Sequence, residues 1–159
     1  MKITISIKSQ ILDLYDDQGG LQQSYAISSA IKGTGQLKGS FCTPLGRHIV
    51  RAKIGTGQPE NTVFVGRRPT GEVYTPALGA QFPGRDWMLT RILWLSGCEV
   101  GHNRLGDVDT LRRYIYIHGS PDAAPMGVPG SIGCIRMHNH DVLDLFDRVP
   151  AGTPVEISA

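Results

Sequence analysis

The sequence lacks any run approaching the roughly 18 apolar residues that a membrane-spanning helix needs, and it has no block of one charge sign. Its 16 Lys and Arg stand against 14 Asp and Glu, a formal charge of +2, which is too weak a field to argue for nucleic acid. The doublets Arg67-Arg68 and Arg112-Arg113 are isolated and read as solvated surface. Repeats, low-complexity tracts and linkers are absent. The opening Met1-Lys-Ile-Thr-Ile-Ser-Ile alternates apolar and polar residues as a strand does. It carries neither the apolar core nor the small-residue cleavage site of an export signal. The expected compartment is therefore the cytoplasm, or the periplasm if a leader was removed.

The three cysteines, Cys42, Cys98 and Cys134, make no disulfide framework. Cys42 and Cys98 are expected to be reduced and partly buried, which suits a reducing compartment. Metal-ligand spacing is also missing. Cys134, His138 and His140, with His102 or His118 as a fourth, match no structural zinc pattern, so neither a metal nor another cofactor is expected. The loop Gly127-Val-Pro-Gly-Ser-Ile-Gly133 is a poor phosphate cradle, because Pro129 has no N–H and no lysine follows.

What the chain does have is turn formers, with 20 Gly and 10 Pro in 159 residues. That length suits a single domain, 1–159, with a real core. Alternating or β-branched runs predict strands over 1–7, 10–15, 22–28, 47–54, 61–65, 87–95, 114–118 and 154–158. Turns are expected at 16–20 and 67–71, and an irregular excursion over 72–86, where Pro76, Gly79, Pro83 and Gly84 fall. Asp107–Arg112 suits a short helical turn, and His48 is expected near an exposed strand face. The two tryptophans, Trp87 and Trp94, are expected in the core. Val142, Phe146 and Val149 share one helical face, so one definite helix is expected near 140–149, with Asn139 as its N-cap. The fold class is mainly β.

The chain is organised around Tyr114-Ile-Tyr-Ile-His118-Gly119-Ser120, a proline-rich loop, and Ser131-Ile-Gly133-Cys134-Ile-Arg136-Met137. A histidine at one strand end and a cysteine after a returning loop can meet in space, which is what a thiol nucleophile needs. A free thiol is only a few per cent ionised at neutral pH, and His118 is the side chain suited to take its proton. Gly133 lets a carbonyl approach the backbone, where the N–H groups of Gly133 and Cys134 could meet an oxyanion. In an extended segment Arg136 would share a face with Cys134 and could clamp a carboxylate; in a helix the two would diverge. The same residues also fit a scaffold without chemistry, with a small buried cysteine and a structural histidine.

His118-Gly119-Ser120 followed by Ser131-x-Gly133-Cys134-Ile135-Arg136-Met137 resembles the signature of the L,D-transpeptidase (YkuD-type) catalytic domain. Thr43-Pro-Leu-Gly46 and Gly106-Asp-Val-Asp-Thr-Leu-Arg-Arg-Tyr-Ile-Tyr-Ile-His118 extend the resemblance over nearly the whole chain. It implies a sandwich or mixed-sheet β fold and a cysteine acyl-enzyme. It also implies cleavage of the meso-diaminopimelate–D-alanine bond in a peptidoglycan tetrapeptide. By position, Cys134 would be the nucleophile and His118 the base, with the Gly119 carbonyl orienting the imidazole. Ser131, Gly133 and Arg136 would shape the oxyanion and substrate pocket. Many family members have histidine where this chain has Ile132, so a second-histidine role is absent. The expected reaction is hydrolysis, as an L,D-carboxypeptidase of peptidoglycan recycling. The alternatives are transpeptidation to an amine and an inactive module that binds peptidoglycan fragments.

Overall fold

The structure, a computed structural model, describes residues 1–159. Ten strands form it: β1 (Lys2–Ser6), β2 (Ile11–Tyr15), β3 (Leu21–Ser28), β4 (Gly46–Ile54), β5 (Thr62–Val65), β6 (Arg68–Val73), β7 (Met88–Gly97), β8 (Tyr116–Gly119), β9 (Ile135–Met137) and β10 (Pro154–Ser158). Two α-helices accompany them, the short α1 (Pro76–Gln81) and the main α2 (Asn139–Arg148), with one 3₁₀ turn at Gly106–Val108. The strands hydrogen-bond in the order β4-β10-β1-β2-β3-β9-β8-β7-β5-β6, and a further β4–β7 pairing closes the sheet on itself. The β1–β10 and β8–β9 pairs are parallel, and the other pairs are antiparallel. The mainly-β expectation with one main helix therefore holds, in the form of a closed mixed sheet.

Closure follows from the period-2 pattern of the strands. Ile3 and Ile5 of β1, Leu12 and Leu14 of β2, and Val155 and Ile157 of β10 all point to one side and are fully or almost fully buried. Leu93, Leu95, Ile117, Ile135 and Met137 join the same cluster from the other strands. Helix α2 lays Val142, Leu145 and Phe146 into it. Each such side chain contributes about 1.5–3 kcal/mol when taken from water, so register is fixed wherever the inner face is apolar.

Several boundaries differ from the sequence reading, for local reasons. The turn expected at 67–71 sits one step earlier. Gly66 and Arg67, both with positive φ (56° and 65°), form a two-residue connection, and Val65 pairs with Arg68 so that β6 begins there. The excursion 72–86 contains α1, whose N-cap Thr75 accepts a hydrogen bond from the Leu78 N–H at 3.1 Å, with Pro76 following. Tyr114 has φ 56°, so the strand before His118 starts only at Tyr116. Asn139 is not the cap of α2. His138 occupies that position without a side-chain bond, and Asn139 is buried inside the first turn.

His48 is buried rather than exposed. Its Nδ1 lies 2.9 Å from the Gly46 carbonyl and its Nε2 2.9 Å from the Thr110 hydroxyl. Burial pushes its imidazole down to about 4, whereas an unfolded histidine titrates near ~6.5. The unfolded chain thus takes up a proton that the folded one refuses. Stability should fall as pH drops below ~6.5 and keep falling until about pH 4, where the folded imidazole also protonates. Urea midpoints measured from pH 7.5 to pH 4 check this, and His48→Gln should flatten the slope.

Candidate active site

Strands β8 and β9 lie side by side in parallel, with Ile117 opposite Ile135 and His118 opposite Arg136. Ile117 and Ile135 face the core, so the alternating partners His118, Tyr116, Cys134 and Arg136 share the opposite face. Continuing the register places Cys134 beside Tyr116, one diagonal step from His118. With strands ~4.8 Å apart and ~3.3 Å per residue, that step is roughly 8 Å between Cα atoms. Segment 135–137 is extended, not helical, as the shared face of Cys134 and Arg136 required.

The loop that returns Cys134 is fastened along its length. Gly130 and Ser131 donate backbone N–H groups to the Ser29 carbonyl at 2.8 and 2.9 Å, and the Ile31 N–H reaches the Ser131 carbonyl at 3.0 Å. The Ser131 hydroxyl donates to the Cys134 carbonyl at 2.6 Å and accepts the Gly133 N–H at 3.2 Å. The Thr43 hydroxyl donates to the Gly133 carbonyl at 3.0 Å. Gly133 has φ 134°, a conformation few L side chains adopt, and an added Cβ would lie 3.2 Å from Ile115. The Gly133 N–H, expected to meet an oxyanion, is therefore engaged by Ser131. The Cys134 N–H makes no hydrogen bond within the protein.

His118 is completely buried, and its Nδ1 lies 2.6 Å from the Gly119 carbonyl. A carbonyl only accepts, so Nδ1 carries the proton and Nε2 keeps its lone pair. That Nε2 is buried without a hydrogen-bond partner. Burial lowers the pKa of the imidazole, so at neutral pH it is a neutral base. The thiol of Cys134 is 7% exposed, and burial pushes it up to about 12. Its Sγ accepts the Tyr116 N–H at 3.3 Å and donates to the Tyr114 carbonyl at 3.4 Å, with no bond to His118. The resting pair is two neutral groups on one face.

Arg136 is engaged at both ends, donating to the Gly130 carbonyl at 2.8 Å and to the Asp86 carboxylate at 2.9 Å. Asp86, which the sequence reading passed over, also lines the cleft of about 370 Å³ that reaches Cys134, along with Lys38, Phe41, Arg112, Tyr114 and Ile132. No local pattern marks Asp86, because its partner lies fifty residues away. Asn139 was likewise missed as a junction. Its amide donates to Asn61 at 2.9 Å and Asp122 at 3.1 Å, and its Oδ1 accepts from Thr90 at 2.6 Å. A Cβ on Gly119 would lie 2.5 Å from that Oδ1 and 2.6 Å from the Leu89 carbonyl, so the position must be glycine.

A closed mixed β sheet thus carries His118 on one strand and Cys134 at the entry to the adjacent parallel strand. Residues 1–157 match the YkuD family model, the L,D-transpeptidase catalytic domain, and the chain belongs to that family. It is 47% identical over 47 residues to the putative L,D-transpeptidase YkuD of Bacillus subtilis, covering 30% of this chain and 29% of that protein. It is 47% identical over 45 residues to the probable L,D-transpeptidase ErfK/SrfK of Escherichia coli, covering 28% of this chain and 14% of that one. These matches span under a third of the relatives' length. An L,D-transpeptidase structure from Xylanimonas cellulosilytica superposes with a TM-score of 0.59 at 20% identity, covering 98% of this chain and 59% of that one. L,D-transpeptidase 3 of Mycobacterium tuberculosis with a faropenem-derived adduct gives 0.60 at 17% identity, covering 99% and 59%. At such identities the likeness is one of fold.

Two outcomes follow from this geometry. Cys98 is exposed, not partly buried as expected from the sequence, and Cys134 is buried with a raised pKa. A small alkylating agent at pH 7.5 should therefore label Cys98 at least ~10-fold faster than Cys134 in the free protein, the reverse of what an activated resting thiolate would give. Peptide mapping after timed quenching reads the order. Gly119→Ala should cost about 1–3 kcal/mol by overpacking. It should also abolish the downfield imidazole N–H signal of His118 in proton NMR.

Proposed function

We propose that this domain is a cysteine acyltransferase acting on peptidoglycan stem peptides at the meso-diaminopimelate–D-alanine bond. What carries the reading is the His118 imidazole, held with Nδ1 protonated toward the Gly119 carbonyl and Nε2 unpartnered, on the same strand face as Cys134. Family membership supports the chemistry in general terms.

Because both groups are neutral at rest, proton transfer accompanies attack. The substrate carbonyl displaces water from the cleft, Sγ bonds to its carbon, and the thiol proton passes to His118 Nε2. The oxyanion takes the free Cys134 N–H, the donor that the protein does not use. Collapse breaks the C–N bond, the imidazolium returns its proton to the departing D-alanine amine, and a thioester remains. Water, deprotonated by Nε2, then attacks the thioester; the S–C bond breaks and the thiol regains its proton. Ser131 and Gly133 act by fixing the backbone at Cys134, and Arg136 by tying Asp86 to the loop at Gly130.

Hydrolysis, giving an L,D-carboxypeptidase, is our reading of the second half. Its support is that a solvent-open cleft of about 370 Å³ reaches Cys134, so water has access to a thioester there. An amine acceptor would give the L,D-transpeptidase product from the same thioester. Incubation with a muropeptide tetrapeptide, with and without a D-amino acid, should yield mainly tripeptide and free D-alanine by mass; a dominant exchange or crosslinked product overturns the hydrolytic form. A carbapenem-type β-lactam should add its mass at Cys134, and Cys134→Ser should abolish both reactions. His118→Ala should slow acylation by ~10²-fold or more.

A further inference from the structure

Arg67 does not behave as the solvated surface residue its sequence context suggests. It occupies the two-residue connection between β5 and β6 with φ 65°, a backbone conformation that glycine would adopt more easily. Its guanidinium lies 4.7 Å from the ring centre of Trp94 and 4.9 Å from that of Tyr114. Nη1 donates to the Tyr116 hydroxyl at 3.0 Å. Nε and Nη2 make no hydrogen bond within the protein, and none of its ion pairs includes Arg67. The result is a cation held on an aromatic seat, with one donor edge unused and no carboxylate neutralising it.

The seat belongs to the nucleophile's own surroundings. Tyr114 lines the cleft with Cys134 and its carbonyl accepts from Sγ. Tyr116 packs against Cys134 and its N–H donates to Sγ. Arg67 does not itself line the cleft, but it stacks on Tyr114, which does, and bonds Tyr116, so it lies beside the cleft behind the two residues that touch the thiol. Its two remaining N–H directions form the side-on fork that matches a carboxylate, and stacking has already removed most of the side-chain freedom that binding would otherwise have to freeze.

We propose that Arg67 is a carboxylate-binding subsite beside the cleft, gripping through its Nε–Nη2 edge an acidic group of a peptide that extends past Tyr114 from the carbonyl Cys134 attacks. The inference rests on the proposed function for the identity of the peptide, but its test does not require turnover. In a Cys134→Ser protein, Trp87→Phe leaves Trp94, beneath the guanidinium, as the remaining one of two tryptophans. Titration with a muropeptide tetrapeptide should change Trp94 fluorescence, and the same peptide with its carboxylates amidated should bind ~10-fold or more weakly. Arg67→Ala should remove that difference, Arg67→Lys should restore little of it, and Arg68→Ala, an exposed cation on the same hairpin, should leave it intact. Calorimetry on the Trp87-containing protein gives the same comparison should the Trp87→Phe background fold poorly. Equal losses in Arg67→Ala and Arg68→Ala would mean a diffuse field and overturn the proposal. So would an undiminished preference for free carboxylates in Arg67→Ala, or no binding of the tetrapeptide. A failure of acyl transfer with carboxylate binding intact would instead count against the proposed function alone.

Discussion

The parallel register between β8 and β9 is the constraint on which the site depends. One residue of slip in that pairing would turn Cys134 or His118 into the apolar core and Ile135 or Ile117 out of it. The apolar alternation of Ile117, Ile135 and Met137 thus does two things at once. It fills the interior, and by parity it sends His118, Cys134 and Arg136 to the other side. Parallel pairing also demands a long connection, which the loop from Ser120 to Cys134 supplies and which its bonds to Ser29, Thr43 and Ile31 hold in place.

On that face burial leaves both the histidine and the cysteine uncharged at rest. Burial disfavours the imidazolium and the thiolate separately, so neither forms in the empty site. Asp86 and Arg136, whose charges reach both groups, neutralise one another. A thiol kept neutral in this way is shielded from adventitious electrophiles and oxidants, which act on the thiolate. In the proposed reaction it becomes nucleophilic as its proton moves to an imidazole whose tautomer is set beforehand by the Gly119 carbonyl.

Much of the architecture was legible in the sequence because it rests on local patterns. Alternation in Met1–Ile7 and Pro154–Ser158, the helical spacing of Val142 and Phe146, and the proline-rich loop before Cys134 each report a nearby physical requirement. The misplacements share a cause as well. Asn139 has the side chain of a cap, yet it is drawn inward by Thr90, Asn61 and Asp122, which come from three separate segments. His48 is polar but is buried by Gly46 and Thr110. Asp86 and Arg67 acquire their significance from partners distant in the chain, which a linear pattern does not display. The Thr75-Pro76 start of α1 was readable and was masked by the surrounding glycines and prolines.

The order of strands in the ring has a consequence for assembly. Strand β10 lies between β1 and β4, and without it the sheet has a gap flanked by two bare edges. A chain emerging in order would hold those edges open while every element of the cleft is already synthesised. Closure must then wait for contacts between the most widely separated segments, the sort of pairing that makes folding slow. Until β10 docks, the exposed backbone of β1 and β4 is a template for strands of other chains. The face that carries Cys134 and His118 is therefore completed only when a distant strand, which pairs with neither β8 nor β9, locks the cylinder.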